Sequence, residues 1–353
     1  MDANIPPGSE SDSSIRHLRE RRGWSQQDLA DRAGVSRQLV GAMESGRHSP
    51  SVSAALAVAG VLGVTVESLF AVPAEAAVPV FAAPPTASGP AVAARVGDRV
   101  VTVPMHRGGA DVERWGFPDA TATSAGVTWL PGARSDGLVV AGCDPVLGTL
   151  AELVERTAHH RIVAAHGSTG ASLDALAGGR VHGVLVHGTA DELPEPPVPV
   201  RRWHLARWQV GLASGRPAGP PSIEEIVMRR LSVVQRDVGA GTQRALRRAL
   251  TKVGADDSVP GPVGQGHVDV ARRLAQTRAP AGVTMETAAL AFGLAFSPLE
   301  VHVVELWLDR RWVDLAAAQA LVTTLGQPAL TRHTDLLGGY DMSEAGVERI
   351  NGP

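Results

Sequence analysis

The stretch SQQDLADRAGVSRQLVGAMESGR, residues 25 to 47, constrains this 353-residue chain more than any other segment. Leu29, Ala30, Val35 and Val40 are spaced so that two short helices joined by a tight turn bring them into one small core. Ser25 with Asp28 three residues on is a capping box, which defines the start of the first helix. Gly34 falls where the chain leaves that helix and has to turn, and glycine takes positive φ there at little steric cost. Ser36 caps the second helix, whose outer face carries Arg37, Gln38 and Gly41.

Together these features resemble the helix-turn-helix of the phage-repressor-like (XRE) family, from about Ile15 to Phe70. The resemblance implies an all-α domain whose second motif helix enters the major groove of double-stranded DNA. Arg37 and Gln38 are the candidates for base edges, since arginine suits guanine and glutamine suits adenine. Ser36 serves either base or phosphate, and Gln26 and Arg47 are candidates for phosphate contacts that fix register. Residues 15 to 70 carry seven arginines against five carboxylates, a net +2, while the whole chain is at −3. Attraction to nucleic acid is therefore local. Domains of this kind read half-sites as symmetric pairs, so a homodimer is expected.

The rest of the chemistry is narrowed by what is missing. Lys252 is the only lysine, and no GxxxxGK[ST] string surrounds it, which argues against a P-loop and against a Schiff-base enzyme. Cys143 is the only cysteine, so an internal disulfide and multi-cysteine metal sites are excluded. No HExxH and no tight histidine pair on a helix face is present, and no metal site or cofactor is expected. GSTG at 167–170 is not a hydrolase elbow, and GAGTQR is not a dinucleotide fingerprint. The polar, acidic start lacks the apolar core of a secretory signal, and no apolar run reaches the length of a membrane span. A cytoplasmic protein with no membrane partner is the expectation.

Composition divides the chain into a disordered N-terminus (1–13), the helix-turn-helix domain (14–70), an Ala/Pro-rich linker (71–94) and an α/β region (95–350). Val96 to Val103 alternates as a strand and Val127 to Leu130 is another, with a loop between them. From Gly137 onward strands and helices alternate, the pattern of a parallel sheet with right-handed crossovers. Two α/β sets with a late strand returning to the first describe a two-lobed clamp, lobe I about 95–200 and 300–350, lobe II about 205–298.

The segments GCDPVLGTLAEL (142–153), HGSTGASLDALAGGRVHG (166–183), QRDVGAGTQRAL (235–246) and AFSPLEVHVVEL (295–306) carry a second resemblance. They are similar to the type 2 periplasmic-binding-protein (PBP-like) fold, and more narrowly to the PBP-like domain of molybdate-type and molybdopterin-linked regulators. The sequence departs from that pattern at Gln243 and at Val186–His187–Gly188.

Ligands of open α/β sheets bind beyond the carboxyl ends of strands, which singles out three loops. The first holds Cys143 and Asp144, the second Ser168 and Thr169 before a helix, and the third Arg236 with Gly241 and Thr242. Amides at helix N-termini, hydroxyls and a guanidinium suit a small anion, and one loop in each lobe lets the anion couple binding to closure. Glu300 is a hinge or cleft candidate. Asp144 also reads as a helix cap and Cys143 as a small buried group. The expected protein is a ligand-responsive transcription regulator, with molybdate, tungstate or a molybdopterin-related anion implied by the resemblance. A molybdenum-cofactor-handling enzyme with a regulatory head, or a DNA-binding protein whose clamp only dimerises, are the alternatives.

Overall fold

The computed structural model describes residues 15–45, 50–70, 74–81, 89–105, 117–256, 258–277 and 279–349. Two compact units divide the chain, Met1–Pro73 and Ala74–Pro353. The expected disordered start at 1–13, Arg47 and residues 106–116 of the expected loop after residue 103 lie outside the described residues, and the described part of that loop holds a strand at Ala120–Thr123 where none was expected.

The first unit contains α1 (Ile15–Arg21), α2 (Gln26–Ala33), α3 (Arg37–Glu44), α4 (Val52–Leu62) and α5 (Val66–Phe70). Both halves of the Ser25–Asp28 capping box are formed. Gly34 adopts φ 63°, and its N–H returns to the Ala30 carbonyl. The Ser36 hydroxyl accepts from Leu39 N at 3.1 Å. Ile15, Leu29, Ala30, Val40, Met43, Val58 and Leu62 are buried together, with Val35 half-buried beside them.

The second unit begins with a five-stranded sheet of β1 (Ala77–Pro79), β2 (Gly89–Val96), β3 (Arg99–Pro104), β4 (Ala120–Thr123) and β5 (Gly126–Trp129), in the order β1-β3-β2-β4-β5. This corrects two expectations. The Ala/Pro-rich segment is not only a linker, since it contributes β1 and most of β2. The expected strand from Val96 to Val103 is a hairpin, with Val96 paired to Arg99 across a turn in which Gly97 takes φ 60°. Composition misled because Ala91, Ala93 and Ala94 look unable to form a core, yet all three are fully buried against residues of the neighbouring strands. Small side chains bury well where another strand supplies the bulk.

The clamp follows. Parallel strands β6 (Leu138–Gly142), β7 (Ile162–His166) and β8 (Gly183–Gly188) alternate with α6 (Val146–Ala158) and α7 (Thr169–Ala177). After β9 (Val200–Ser214) come α8 (Ile223–Met228), β10 (Val233–Arg236), α9 (Gly241–Lys252), β11 (Val263–Gly264), α10 (His267–Gln276), β12 (Ala281–Met285) and α11 (Glu286–Ala291). The chain returns through β13 (Ala295–Asp309), then α12 (Ala316–Leu325), α13 (Pro328–Leu337) and β14 (Glu348–Arg349). The strand order is β11-β10-β12-β9-β13-β8-β6-β7, with β14 also on β9.

The sheet is mixed, not uniformly parallel. β9 and β13 are 15 residues each and pair antiparallel along their whole length, from Val200↔Asp309 to Ser214↔Ala295. They run through both lobes: β8 joins one end of β13 and β12 the other end of β9. Two fully shared strands link the lobes, and register shifts at Pro298/Glu300 and Val304/Glu305 re-aim the side chains near their middle. One face of the sheet packs on the helices around Leu147, Leu150, Trp208, Leu246 and Leu321. On the other face of lobe I, Val139, Ala141, Val163 and Val184 are covered by α7, by Val80 just after β1, and by Ala94, Val96 and Val101 of the five-stranded sheet. This small sheet therefore takes a place that a helix layer often fills in such folds.

Candidate functional sites

In the clamp, the chemistry-bearing residues meet where β6, β8 and β10 end and β9 and β13 cross between them. The backbone N–H of Gly170, at the start of α7, donates to the Gly239 carbonyl at 3.2 Å, so the loops of the two lobes touch. Four polar side chains here are enclosed without a hydrogen-bond partner among the described residues: Thr169 Oγ1, Thr242 Oγ1, Arg236 Nε and Nη1, and both ring nitrogens of His267. Their residues are 1%, 0%, 3% and 1% exposed. Buried polar groups are almost always paired, because an unpaired one costs about 1–3 kcal/mol, so four in one place make this the candidate ligand site. Thr169 and Thr242 stand at the N-termini of α7 and α9, one from each lobe, where free amides and the helix dipole favour negative charge. Among the described residues Arg236 has one ion pair, a long 3.9 Å contact with half-exposed Asp237, which leaves its charge largely unspent.

The loop carrying Arg236 is held rigidly. Gln243 accepts from Arg236 N at 2.9 Å and donates to Gln235 Oε1 at 2.9 Å. This gives a physical role to a residue at which the sequence departs from the PBP-like pattern. Gly241 is required for space: a Cβ there would stand 2.8 Å from His187 Cε1 and 3.1 Å from its carbonyl.

A hydrogen-bonded relay runs beneath these groups. Arg248 pairs with Glu300, His302 Nε2 lies 2.6 Å from Glu300 Oε1, His302 Nδ1 lies 2.8 Å from His187 Nδ1, and His187 Nε2 lies 3.0 Å from Cys143 Sγ. Its proton order follows from the ends. Burial works to raise the Glu300 carboxyl, but hydrogen bonds from His302 and Arg248 outweigh it and hold it at about 2, so Glu300 only accepts. Burial keeps His302 below, and His187 well below, the ordinary imidazole value, so both rings are neutral. His302 then carries its proton on Nε2 and accepts at Nδ1 from His187, whose Nε2 lone pair is left facing Cys143. Burial pushes the Cys143 thiol up to about 12, so it donates S–H to that lone pair. Trp208 packs against all three imidazoles, with ring centroids 4.7 Å from His187, 5.5 Å from His267 and 5.5 Å from His302.

The sequence-predicted ligand residues separate into two groups. Thr169, Arg236, Gly241 and Thr242 line the enclosed region as described. Ser168 caps α7, its hydroxyl 3.4 Å from Ala171 N, beside the contact between the lobes. Asp144 is placed at the site, but its oxygens already accept from Tyr340 Oη (2.6 Å), Trp208 Nε1 (2.9 Å) and Val146 N (2.9 Å), so it braces the walls. Glu300 is likewise taken up by Arg248 and His302. Sequence reasoning missed His187, His267 and His302 as a group, along with Trp208, Tyr340 and Arg248. The one local signal was Glu300 and His302, two apart on a strand and therefore on one face. A cavity of about 780 Å³ lies elsewhere, between Val96–Arg99, Ala177–Gly179 and Trp312. Its lining lacks the four enclosed donor groups, so the functional reading rests on the enclosed cluster.

In the first unit, Arg37 and Gln38 are exposed in the first turn of α3, with Ser36 exposed at its cap. Gln26 is half-buried, donates to Glu44 Oε2 at 2.8 Å and packs on Gly41. Glu44 also receives Arg19, with Nε at 2.6 Å and Nη2 at 3.2 Å, and Arg19 Nη1 donates to the Trp24 carbonyl at 2.7 Å. Arg19 thus belongs to a buried network that ties α1, α2 and α3 together, and does not add to the phosphate-facing charge counted from sequence.

Comparison with known proteins agrees with this architecture. Residues 150–326 match the PBP superfamily domain, and residues 15–69 match a helix-turn-helix domain. The chain belongs to the PBP superfamily and carries an XRE-type helix-turn-helix domain of the kind found in transcription regulators. An uncharacterized HTH-type transcriptional regulator of Methanocaldococcus jannaschii, MJ0272, is 36% identical over 58 residues, covering 16% of this chain and 88% of that protein. Another from Methanothermobacter thermautotrophicus is 47% identical over 49 residues, 14% of this chain and 71% of that protein. A putative phosphate ABC transporter substrate-binding protein with bound phosphate from Clostridium perfringens matches 58% of this chain and 99% of its own, at 11% identity and TM-score 0.48, which says nothing of the ligand here. Among the described residues no helix is long and apolar enough to cross a membrane.

Proposed function

We propose that the protein is a ligand-responsive transcription regulator, in which a dimer reads an operator through α3 while the clamp closes on a small anion. The observation that carries the ligand half is the enclosed set of Arg236, Thr169 and Thr242 with two helix N-termini from opposite lobes. A guanidinium without a short-range counter-charge, two hydroxyls and converging amides match a compact oxyanion, and molybdate or tungstate are the leading candidates. Closure is favoured because the anion satisfies donors from both lobes at once, which no ligand of one lobe can do. Binding and DNA affinity are then linked reciprocally.

Differential scanning calorimetry of the full chain against molybdate, tungstate, phosphate, sulfate and organic acids tests the ligand claim. At 100 times Kd a ligand stabilises by about 2.7 kcal/mol. No response of the wild-type clamp to any of these anions refutes the assignment. For DNA, Arg37→Ala should lose about 1–3 kcal/mol of discrimination at one base pair per half-site. Operators selected from random duplexes with wild type and variant give that comparison, and identical preferences would remove Arg37 from the base-reading set. A two-fold symmetric selected sequence is the expected mark of the dimer.

A further inference from the structure

The relay that ends on Cys143 does more than fill space behind an anion site. The donor atoms of Cys143, His187 and His267 lie within 4.8 Å of one another, and all three residues are buried. We propose that Cys143, His187 and His267 bind a zinc-class transition-metal ion within the clamp, as one sulfur and two nitrogen ligands with a fourth position left open.

Three independent features support this. His267 is 1% exposed with both ring nitrogens unpartnered, which is costly unless something binds there. His187 Nε2 faces Cys143 Sγ at 3.0 Å, with its other nitrogen bound to His302 and, through it, to Glu300. Metal-ligating histidines need this outer support, which fixes both tautomer and ring orientation. The ligand set is also selective: a thiolate with two imidazoles suits zinc or copper and is poor for magnesium or calcium. With bond lengths of about 2.0–2.3 Å, donors around a tetrahedral ion stand about 3.3–3.8 Å apart, so the observed cluster needs only small side-chain shifts.

Binding is written as a balanced exchange: the ion displaces the Cys143 proton, the Sγ–metal bond replaces the S–H bond, and one proton passes to solvent. The charged groups around the cluster are Arg236, Asp144, Asp237 and Arg244, with the neutral His302 ring beside them. A dication with one thiolate beside Arg236 leaves excess positive charge, which an anion in the open position offsets. Metal and oxyanion therefore favour one another's binding.

The test uses full-length protein stripped with a chelator and then loaded with zinc(II) or cobalt(II). The expected result is one equivalent of tightly held metal, tetrahedral cobalt bands, a thiolate-to-cobalt charge-transfer absorption, and release of one proton per ion. Cys143→Ser should lose the charge-transfer band, and His267→Ala should weaken zinc binding by at least tenfold, with circular dichroism showing both variants folded. Absence of a stoichiometric ion in wild type, or cobalt bands that persist unchanged in Cys143→Ser, overturns the proposal. The anion site is tested separately: Cys143→Ser should keep a molybdate-induced thermal shift, smaller than that of the metal-loaded wild type, and Arg236→Met should keep metal.

Discussion

Replacing Arg236 by methionine should make the ligand-free clamp more stable, which is the opposite of what removing a buried charged residue in an ordinary ion pair does. Arg236 is 3% exposed, and its Nε and Nη1 lack partners. Each unpaired donor costs about 1–3 kcal/mol, more for a charged group, so the low end of two such penalties is about 2 kcal/mol. Against this, the substitution removes the 3.9 Å pair with Asp237, whose side chain is 45% exposed, worth about 0–1 kcal/mol. Methionine fills most of the same volume with no donor, and the Arg236 backbone bond to Gln243 is unaffected by the change. A net gain of at least about 1–2 kcal/mol follows, or about 2–8 °C for a unit of this size. Scanning calorimetry of the full chain resolves the clamp transition from that of the small helical unit. With saturating oxyanion the order should reverse, because wild type gains about 2.7 kcal/mol at 100 times Kd and the variant gains nothing. A less stable apo variant that still responds to the anion would refute the reasoning at both points.

Glu44→Ala should unfold the first unit alone, since it strands the buried Arg19 charge at a cost of about 3–5 kcal/mol; loss of DNA binding with an unchanged clamp transition is the expected result. Acid should weaken the clamp as pH falls from the ordinary Glu300 value of 4.5 toward about 2, because its folded value is depressed and the stability it contributes is lost over that interval. The groups facing it are His302 and Arg248, with Glu192 on the far side of Arg248; Glu300→Gln should flatten this part of a pH–stability profile, and an unaltered profile would exclude Glu300 as its source. Gly241→Ala should drive a methyl into the His187 ring, destabilising the clamp by about 1–3 kcal/mol, as urea unfolding followed by tryptophan fluorescence would show.

Local patterns carried much of the fold. The alternation of strands and helices expected after Gly137 is present, and helices such as α9 (Gly241–Lys252) and α10 (His267–Gln276) are legible because amphipathic periodicity and flanking glycines are properties of adjacent residues. The lengths of β9 and β13 were not legible. Their ends, near Trp203 and Ser297, have no strand pattern of their own and are ordered by each other across nearly a hundred residues of sequence. The alanine-rich β2 was hidden for the same reason.

The sequence alone determined the helix-turn-helix: its caps, turn glycine and core all lie within a few residues of one another, where backbone preference decides the outcome. It also supplied the two helix N-termini and Arg236, since strand-to-helix turns are local. Only the tertiary structure decided that Cys143, His187, His267 and His302 share one enclosure, and that Asp144, Glu300 and Arg19 are already committed to internal partners. Those relations join residues as much as 196 positions apart. Such distances in sequence leave no periodic trace, because β9 and β13, not the neighbouring residues, set which side chains meet.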